Sequence, residues 1–204
     1  PQLIAGPIER AKKLIPQLQA EKWLRGVNFK EGIYLFVYGL FKKVVIADSV
    51  ASVVDSTFTL PDVSGEQVII AAYAFAIQIY ADFSGYTDMA RGISHFFGIT
   101  LSNNFNLPYF AKNPADFWRR WHITLSTWVR DYVYIPLGGR NSMFFGICAL
   151  LIAWLLMGLW HGAAWNFVLW GLYWFAVILI YRLVNRVLKT FHAAKLGSIL
   201  LSIA

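Results

Sequence analysis

Two consecutive apolar stretches, "MFFGICALLIAWLLMGLW" (Met143–Trp160) and "AAWNFVLWGLYWFAVILIY" (Ala163–Tyr181), decide the fold class of this chain. Between Arg140 and Arg182 there is no Asp, Glu, Lys or Arg. A transmembrane helix needs about 20 predominantly apolar residues, so each stretch is long enough to cross a bilayer. The pattern predicts two membrane-spanning helices joined tightly near Gly162.

The composition of the whole chain indicates a membrane protein. Of its 204 residues, 58% are hydrophobic and only 14% are charged, whereas soluble domains carry about 25% charged residues. The mean hydropathy is +0.52. The net charge of +7 is better explained by basic cytoplasmic loops than by nucleic-acid binding. We therefore expect the lipid bilayer as a partner, and no nucleic acid.

Two further apolar segments, 33–54 and 67–87, complete the predicted architecture. Ser64 and Gln67 form a capping box that predicts the start of the second segment. This run must either extend through "DFSGYTDMA" or form a short, partly re-entrant element. Lys42 and Lys43 fall inside the first segment, so they must snorkel, face water, or mark a segment that does not cross simply.

The distribution of charge predicts the topology and the domain organisation. Basic residues concentrate in 9–31, 91–140 and 182–195, and the loop 55–66 is acidic, so we place the basic regions on the cytoplasmic side. The chain starts with Pro1 and ends within another apolar run. We expect a single all-α membrane domain over 1–204, as the central fragment of a longer multi-pass protein.

A mixed segment between the apolar runs predicts an amphipathic helix over 114–134. Asn113 is a suitable N-cap, and Pro114 suits the first helical position. On a helical wheel, one apolar stripe contains Trp118, Trp121, Leu125, Trp128 and Tyr132. A separate polar line contains Arg119, His122, Ser126 and Arg130. The pattern is typical of a helix lying at the inner membrane surface.

Two histidines are the main candidates for chemistry. His161 lies within the most apolar part of the chain, where a titratable group is costly enough to suggest a function. The alternative is a neutral imidazole that hydrogen-bonds to a neighbouring helix. His122, on the polar line with two arginines, is either a second proton-handling group or a solvated surface residue. We interpret His95 and His192 as structural or surface residues.

Several other polar residues are candidates for a pathway through the membrane. They are Asp82, Asp88, Ser126 and Asn166. Asp88 and Arg91, three residues apart, can instead pair with each other on one helix. We expect no metal site, because no His-x3-His pair occurs and no carboxylate lies near either candidate histidine in sequence. A serine-hydrolase elbow, a Walker loop and a dinucleotide glycine motif are also missing from the sequence.

Four motifs closely resemble the membrane-bound O-acyltransferases, and specifically the bacterial alginate O-acetyltransferase branch. They are "PQLIAGPIER", "DFSGYTDMARGI", "NFNLPYFAKNPADFWRRWHITLSTWVRDYVYIPLGGR" and "GLWHGAAWNFVLWGLYW". The resemblance covers nearly the whole chain. It implies a ring of helices around a central tunnel, only part of which this fragment can form, because relatives have further membrane helices on both sides.

The resemblance also implies roles for the two histidines. In this family the histidine of the "WHG" motif, here His161, is regarded as catalytic, and the histidine of "FWRRWH", here His122, is a second important position. An acyl group supplied from the cytoplasmic side would pass to an acceptor on the outer side, which suggests opposite placements for the two histidines. The implied location is the bacterial cytoplasmic membrane.

We therefore predict an acyltransferase that passes an acetyl group toward hydroxyls of an exported polysaccharide such as alginate. Arg119, Arg120 and Arg130 are candidate phosphate contacts for an acetyl-coenzyme A donor, or contacts for anionic lipid. We expect no bound cofactor, and we expect polysaccharide-acetylation partner proteins on the periplasmic or extracytoplasmic side. The alternatives are D-alanyl or other acyl transfer to an envelope polymer, a non-catalytic conduit, and a membrane scaffold.

Overall fold

The computed structural model describes residues 6–20 and 28–201, with side chains described through residue 190. Within these ranges every regular element is helical, which confirms the all-α prediction. The α-helices are α1 (Ala11–Gln19), α2 (Phe29–Phe41), α3 (Asp48–Thr59), α4 (Gly65–Phe96), α5 (Pro114–Arg120), α6 (Ile123–Val129), α7 (Met143–His161) and α8 (Trp165–Leu201). Two π-helical turns, Lys42–Ala47 and Arg130–Tyr134, and a 3₁₀ helix, Pro108–Phe110, complete the set.

Three of the described helices have the length and hydropathy to cross a membrane. They are α4, α7 and the Trp165–Thr190 part of α8. The long α4 contains the predicted segment 67–87 and continues through "DFSGYTDMA", so the re-entrant alternative is wrong. The segment 33–54 lies within one helical run, 29–59, that has a π-turn in its middle.

The helices begin where the capping residues predict. At α4, Gln67 N–H donates to Ser64 Oγ at 3.2 Å and Ser64 N–H donates to Gln67 Oε1 at 2.8 Å, completing the capping box. At α5, Asp116 N–H donates to Asn113 Oδ1 at 2.8 Å. These local bonds satisfy backbone donors that the first helical turn leaves without partners.

The described residues divide into two compact units, 1–106 and 107–204. In the first unit, α2 and α4 cross at glycines. A Cβ atom on Gly39 would lie 2.5 Å from the carbonyl oxygen of Gly85, and one on Gly92 would lie 2.6 Å from that of Gly32. Small residues allow this approach, which is a common basis of helix association in membranes. The expectation of a single domain stays a prediction.

Ion pairs between the helices of the first unit explain the two lysines of segment 33–54. Lys42 is buried, donates to Ser84 Oγ at 3.2 Å and pairs with Asp88. Lys43 pairs with Asp48 at 2.8 Å and Asp82 at 2.6 Å. Both lysines lie in the π-turn, a local geometry that is frequent at functional sites within helices. Both lysines are therefore paired with carboxylates of the first unit.

In the second unit, α7 and α8 form an antiparallel hairpin. A Cβ atom on Gly171 would lie 2.5 Å from the carbonyl oxygen of Trp154. Nearer the open end, Arg186 donates to Met143 Sδ at 3.1 Å. The turn occupies only residues 162–164, as the tight connection near Gly162 predicts.

The continuous helix predicted over 114–134 is wrong, because it is divided at Trp121–His122. Trp121 has extended backbone angles and His122 is left-handed, with φ 41° and ψ 55°. The segment also runs alongside α7 rather than lying flat at its end. The His122 ring lies 6.0 Å from Trp160, whereas Tyr134 Oη lies 3.7 Å from a Cβ atom built on Gly146. Tertiary packing therefore overrides the amphipathic pattern of this segment.

Candidate active site

The two candidate histidines both lie beside one tryptophan. The imidazole of His122 is 6.0 Å from the Trp160 ring, centroid to centroid, and that of His161 is 5.1 Å from it. They are separated by 39 residues in sequence, and the division between α5 and α6 brings them together. The opposite placements suggested by the resemblance are therefore wrong, because both imidazoles lie at the same end of α7.

His122 is buried, with only 4% of its surface exposed. Its left-handed backbone is uncommon for a residue other than glycine and is found at functional sites more often than elsewhere. Burial, and to a lesser extent the nearby charge of a protonated His161, lowers the pKa of His122 from 6.5 to about 4. This imidazole is therefore neutral at physiological pH, and the prediction of a solvated surface histidine is wrong.

His161 is the last residue of α7 and is exposed in this chain. Its ring packs face to face with Phe167 at 6.2 Å and against the edge of Trp170 at 4.9 Å. Gly162 permits this arrangement, because a Cβ atom there would collide with the Phe167 ring. His161 therefore lies at the end of the helix, in contact with aromatic rings, and is not enclosed in the middle of the span.

An arginine-lined cavity of about 470 Å³ opens between α5, α6, α7 and α8. Its basic lining residues are Arg119, Arg130, Arg140 and Arg182. Its apolar wall includes Trp118, Ile123, Leu150, Trp154, Met157 and Ile178. The cavity therefore combines positive charge with an aromatic and aliphatic interior, a combination that suits an amphiphile with an anionic end.

Two of the three predicted donor-binding arginines line this arginine cavity. Arg119 and Arg130 do so, although Arg130 also pairs with Asp131 at 2.7 Å. Arg120 is not part of the lining and instead pairs with Asp116 at 3.0 Å, which lowers the pKa of that carboxyl. Arg119 and Arg120 are adjacent in sequence but differ in what they face.

Sequence reasoning missed Arg140 and Arg182, which also line the cavity. In the sequence they served only as the charged boundaries of two apolar runs. Because the two spans form an antiparallel hairpin, residues just before the first span and just after the second must lie near each other. That topological argument is the signal that could have identified them.

Aromatic contacts connect the arginine cavity with His161. Trp154 lines the cavity and lies 6.1 Å from Trp170, which in turn lies 4.9 Å from His161. Met157 lines the cavity one helical turn before His161 on α7. The apolar interior thus extends toward the pair of histidines.

The other predicted pathway residues have different settings. Ser126 lines the arginine cavity, and its hydroxyl donates to the Trp121 carbonyl oxygen at 3.4 Å. Asn166 is exposed at the start of α8. Asp82 and Asp88 belong to the first unit, where Asp88 also accepts from Arg91 at 3.3 Å, which confirms the predicted pair.

The other two histidines of the chain are His95 and His192. His95 is half-buried near the end of α4, and the side chain of His192 lies outside the described residues. Among the residues that the structure describes, no group of three or more His, Cys, Asp or Glu side chains is arranged to hold a metal ion.

These features define a class: a multi-pass helical membrane protein with two histidines beside an arginine-lined cavity. Comparison with known proteins identifies the family. The sequence model of the membrane-bound O-acyltransferase family matches residues 1–200. The chain therefore belongs to the membrane-bound O-acyltransferase family.

The chain is similar to relatives with three different names. The chain is 44% identical over 196 residues to "Peptidoglycan O-acetyltransferase" of Helicobacter pylori, covering 94% of this chain and 37% of the relative. It is 46% identical over 172 residues to "Probable alginate O-acetylase AlgI" of Azotobacter vinelandii, with 84% and 34% covered. It is 28% identical over 199 residues to "Teichoic acid D-alanyltransferase" of Bacillus subtilis, with 91% and 50% covered. The chain spans about a third of the length of the first two relatives.

Proposed function

We propose that the protein containing this chain transfers an acetyl group to hydroxyls of a polysaccharide outside the cytoplasmic membrane. The observation that carries the proposal is the placement of His122 and His161 beside Trp160, with the arginine cavity extending toward them. Membership of the O-acyltransferase family supports the reaction class. Acetyl is favoured over D-alanyl because the two O-acetylating relatives are 44% and 46% identical and the D-alanylating one 28%.

His161 acts as the general base in this proposal. Its exposed imidazole takes the proton of the acceptor hydroxyl as the oxygen attacks the acyl carbonyl carbon. The tetrahedral intermediate then collapses, and the bond between the carbonyl carbon and the donor sulfur breaks. His161 returns the proton to the departing thiolate, so the products are an acetyl ester and a free thiol. Such proton transfer typically contributes 10²- to 10⁴-fold in rate.

His122 positions or polarises the reacting carbonyl. Because burial keeps its imidazole neutral, it can donate one hydrogen bond without bringing a positive charge beside His161. Its backbone is left-handed at the junction of α5 and α6, and its ring is buried beside Trp160. A neutral donor of this kind stabilises the negative charge that develops on the carbonyl oxygen.

The arginine cavity is the proposed donor site. An acetyl thioester carrying phosphates, such as acetyl-coenzyme A, presents the anionic groups that Arg119, Arg130, Arg140 and Arg182 would bind through charge-assisted hydrogen bonds. From Met143 to His161, α7 rises about 27 Å, close to the thickness of the hydrocarbon core. With Arg140 and Arg182 at the cytoplasmic end of the α7–α8 hairpin, the donor enters there and the acceptor meets His161 near the outer surface.

The acceptor is a glycan hydroxyl reached from outside, with partner proteins completing delivery to the polymer. The O-acetylating relatives are named for O-acetylation of two different polymers, peptidoglycan and alginate, which supports a glycan hydroxyl as the acceptor. Alginate-like exopolysaccharide and peptidoglycan are therefore the two polymers to analyse.

The test uses the full-length protein in its native host, with His161→Gln and a matched control, His95→Gln, at equal membrane abundance. We expect the O-acetyl content of the modified polymer to fall at least about 100-fold in His161→Gln with polymer yield unchanged, and to be unaffected in the control. Retained acetylation would make His161 structural. Loss of the polymer itself would favour a conduit over an enzyme.

A further inference from the structure

A second basic region lies at the open end of the α7–α8 hairpin. A groove of about 230 Å³ runs between the two helices, with Ile147 and Leu150 on one side and Leu179 and Leu183 on the other. Arg182 and Arg186 line the same groove. Residues 179, 182, 183 and 186 follow the spacing of one helical face, so aliphatic and guanidinium groups alternate along a single edge. We call this feature the hairpin groove.

The hairpin groove opens into a wider depression of about 620 Å³ at the same end of the helix pair. The depression is lined by Tyr181, Arg182, Asn185, Arg186, Lys189 and Thr190. Arg182 and Arg186 line both spaces, which therefore adjoin. Positive charge thus gathers where the apolar groove ends.

The cations of this region are not neutralised by carboxylates in the described part of the chain. Arg182 donates to Tyr134 Oη at 3.1 Å, and its guanidinium lies 5.4 Å from the Tyr134 ring centre. Arg186 donates to the sulfur of Met143, a weak acceptor. Neither the groove nor the depression has an acidic lining residue. Their charge therefore complements an anion supplied from outside the chain.

The surroundings of the groove match the boundary between lipid headgroups and acyl chains. Phe144 and Phe145, at the start of α7, are exposed, as are Val184, Val187 and Leu188 on the α8 surface. Exposed apolar side chains of a membrane-spanning helix contact acyl chains, and basic residues at its end meet headgroup phosphates. A bilayer lipid supplies both chemistries in one molecule.

We propose that the hairpin groove binds one anionic phospholipid of the surrounding bilayer, with its headgroup at Arg186 and Lys189 and an acyl chain between α7 and α8. The lipid tightens the hairpin that carries His161. Arg182, Tyr134 and Leu150 line both the arginine cavity and the hairpin groove, so the two spaces adjoin. Arg186 and Lys189 do not line the arginine cavity, so the headgroup contacts distinguish this proposal from the proposed acyl donor.

The test measures lipid preference of the purified full-length protein. Native mass spectrometry after equilibration in nanodiscs containing equal phosphatidylglycerol and phosphatidylcholine gives the ratio of the two bound lipids. Each basic contact to an anionic headgroup is worth about fivefold, so Arg186→Gln/Lys189→Gln should reduce the phosphatidylglycerol preference by at least tenfold. Lys112→Gln, which removes an exposed charge elsewhere in the second unit, should leave it unchanged.

A second variant tests the acyl-chain part of the site. Leu183→Trp fills the groove and keeps every charge, so bound phosphatidylglycerol should fall while soluble glycerophosphate binding stays unchanged. Equal lipid ratios in wild type and both variants would overturn the proposal. So would displacement of phosphatidylglycerol by millimolar acetyl-coenzyme A, because the anion site would then belong to the donor.

If the double variant does not fold, Lys189→Gln alone serves, because Lys189 is exposed on α8. The thermal midpoint in detergent then checks folding, and added phosphatidylglycerol should raise it more for wild type than for Lys189→Gln. An identical rise in both proteins would contradict the proposed headgroup contact. Acetyl-transfer activity is measured in parallel, so that failure of the lipid site and failure of the proposed function are distinguished.

Discussion

Removing the Lys42 charge should severely destabilise the first unit. Lys42 has only 8% of its surface exposed, lies in the π-turn between α2 and α3, and contacts Asp88 and Ser84 on α4. The substitution Lys42→Met keeps a long side chain and removes the ammonium group. Among the described residues, Arg91 is then the cationic partner that Asp88 keeps, at 3.3 Å.

The expected loss is about 3 kcal/mol of unfolding free energy. Breaking a buried ion pair by removing one partner costs about 3–5 kcal/mol, because a charge stays buried without compensation. The lower end applies here, since Arg91 still contacts Asp88 and the carboxylate side chain is 15% exposed. A loss of this size changes the unfolding equilibrium more than a hundredfold.

The assay is unfolding of the full-length protein in mixed micelles, followed by tryptophan fluorescence. The adjacent lysine provides the control: Lys43 has 42% of its side-chain surface exposed although it pairs with Asp48 and Asp82. Exposed pairs are worth about 0–1 kcal/mol, so Lys43→Met should cost under about 1 kcal/mol. Equal losses in the two variants would refute the argument from burial, and Asp88→Asn should restore part of the loss in Lys42→Met.

Three further predictions concern packing, protonation and donor binding. Gly39→Val should force α2 away from α4, because a Cβ atom there would lie 2.5 Å from the Gly85 carbonyl oxygen. The thermal midpoint of unfolding should therefore fall. An unchanged midpoint would contradict the observed helix crossing. The folded-state pKa of His122, about 4 against 6.5, means that the unfolded chain binds the proton more tightly. The unfolding free energy should therefore be unaffected by His122 protonation above pH 6.5 and should fall by about 3 kcal/mol as the pH drops toward 4, where the unfolded chain is protonated and the folded one is not. Thermal midpoints should show this acid sensitivity in wild type and less of it in His122→Gln; equal sensitivity would assign the effect to other groups. Arg130→Gln should raise the donor KM at least fivefold with little change in kcat, whereas Lys112→Gln should not; equal KM values would remove the arginine cavity from donor binding.

Local patterns were sufficient to predict the helix starts. Ser64 and Asn113 cap the helices that follow them, because these contacts involve atoms only three residues apart. The uncharged run between Arg140 and Arg182 likewise predicted the hairpin. Hydropathy of a spanning segment depends on composition rather than on any particular partner.

Long-range packing decided what the amphipathic pattern could not. A helical wheel assumes unbroken geometry, so it placed His122 on a solvated line with Arg119 and Arg130. The left-handed turn at His122 breaks that geometry and buries the imidazole beside Trp160. The competing tertiary contacts come from residues almost forty positions away, and no local window contains them.

The sequence by itself determined that this protein is helical and membrane-spanning, and its motifs indicated the family and the two histidines. These properties follow from composition and short-range order. Only the tertiary structure decided that Arg140 and Arg182 share a cavity with Arg119 and Arg130, that Arg120 faces Asp116 instead, and which carboxylate neutralises each lysine. Electrostatic interactions depend on distance and burial, which are established only when the helices pack against one another.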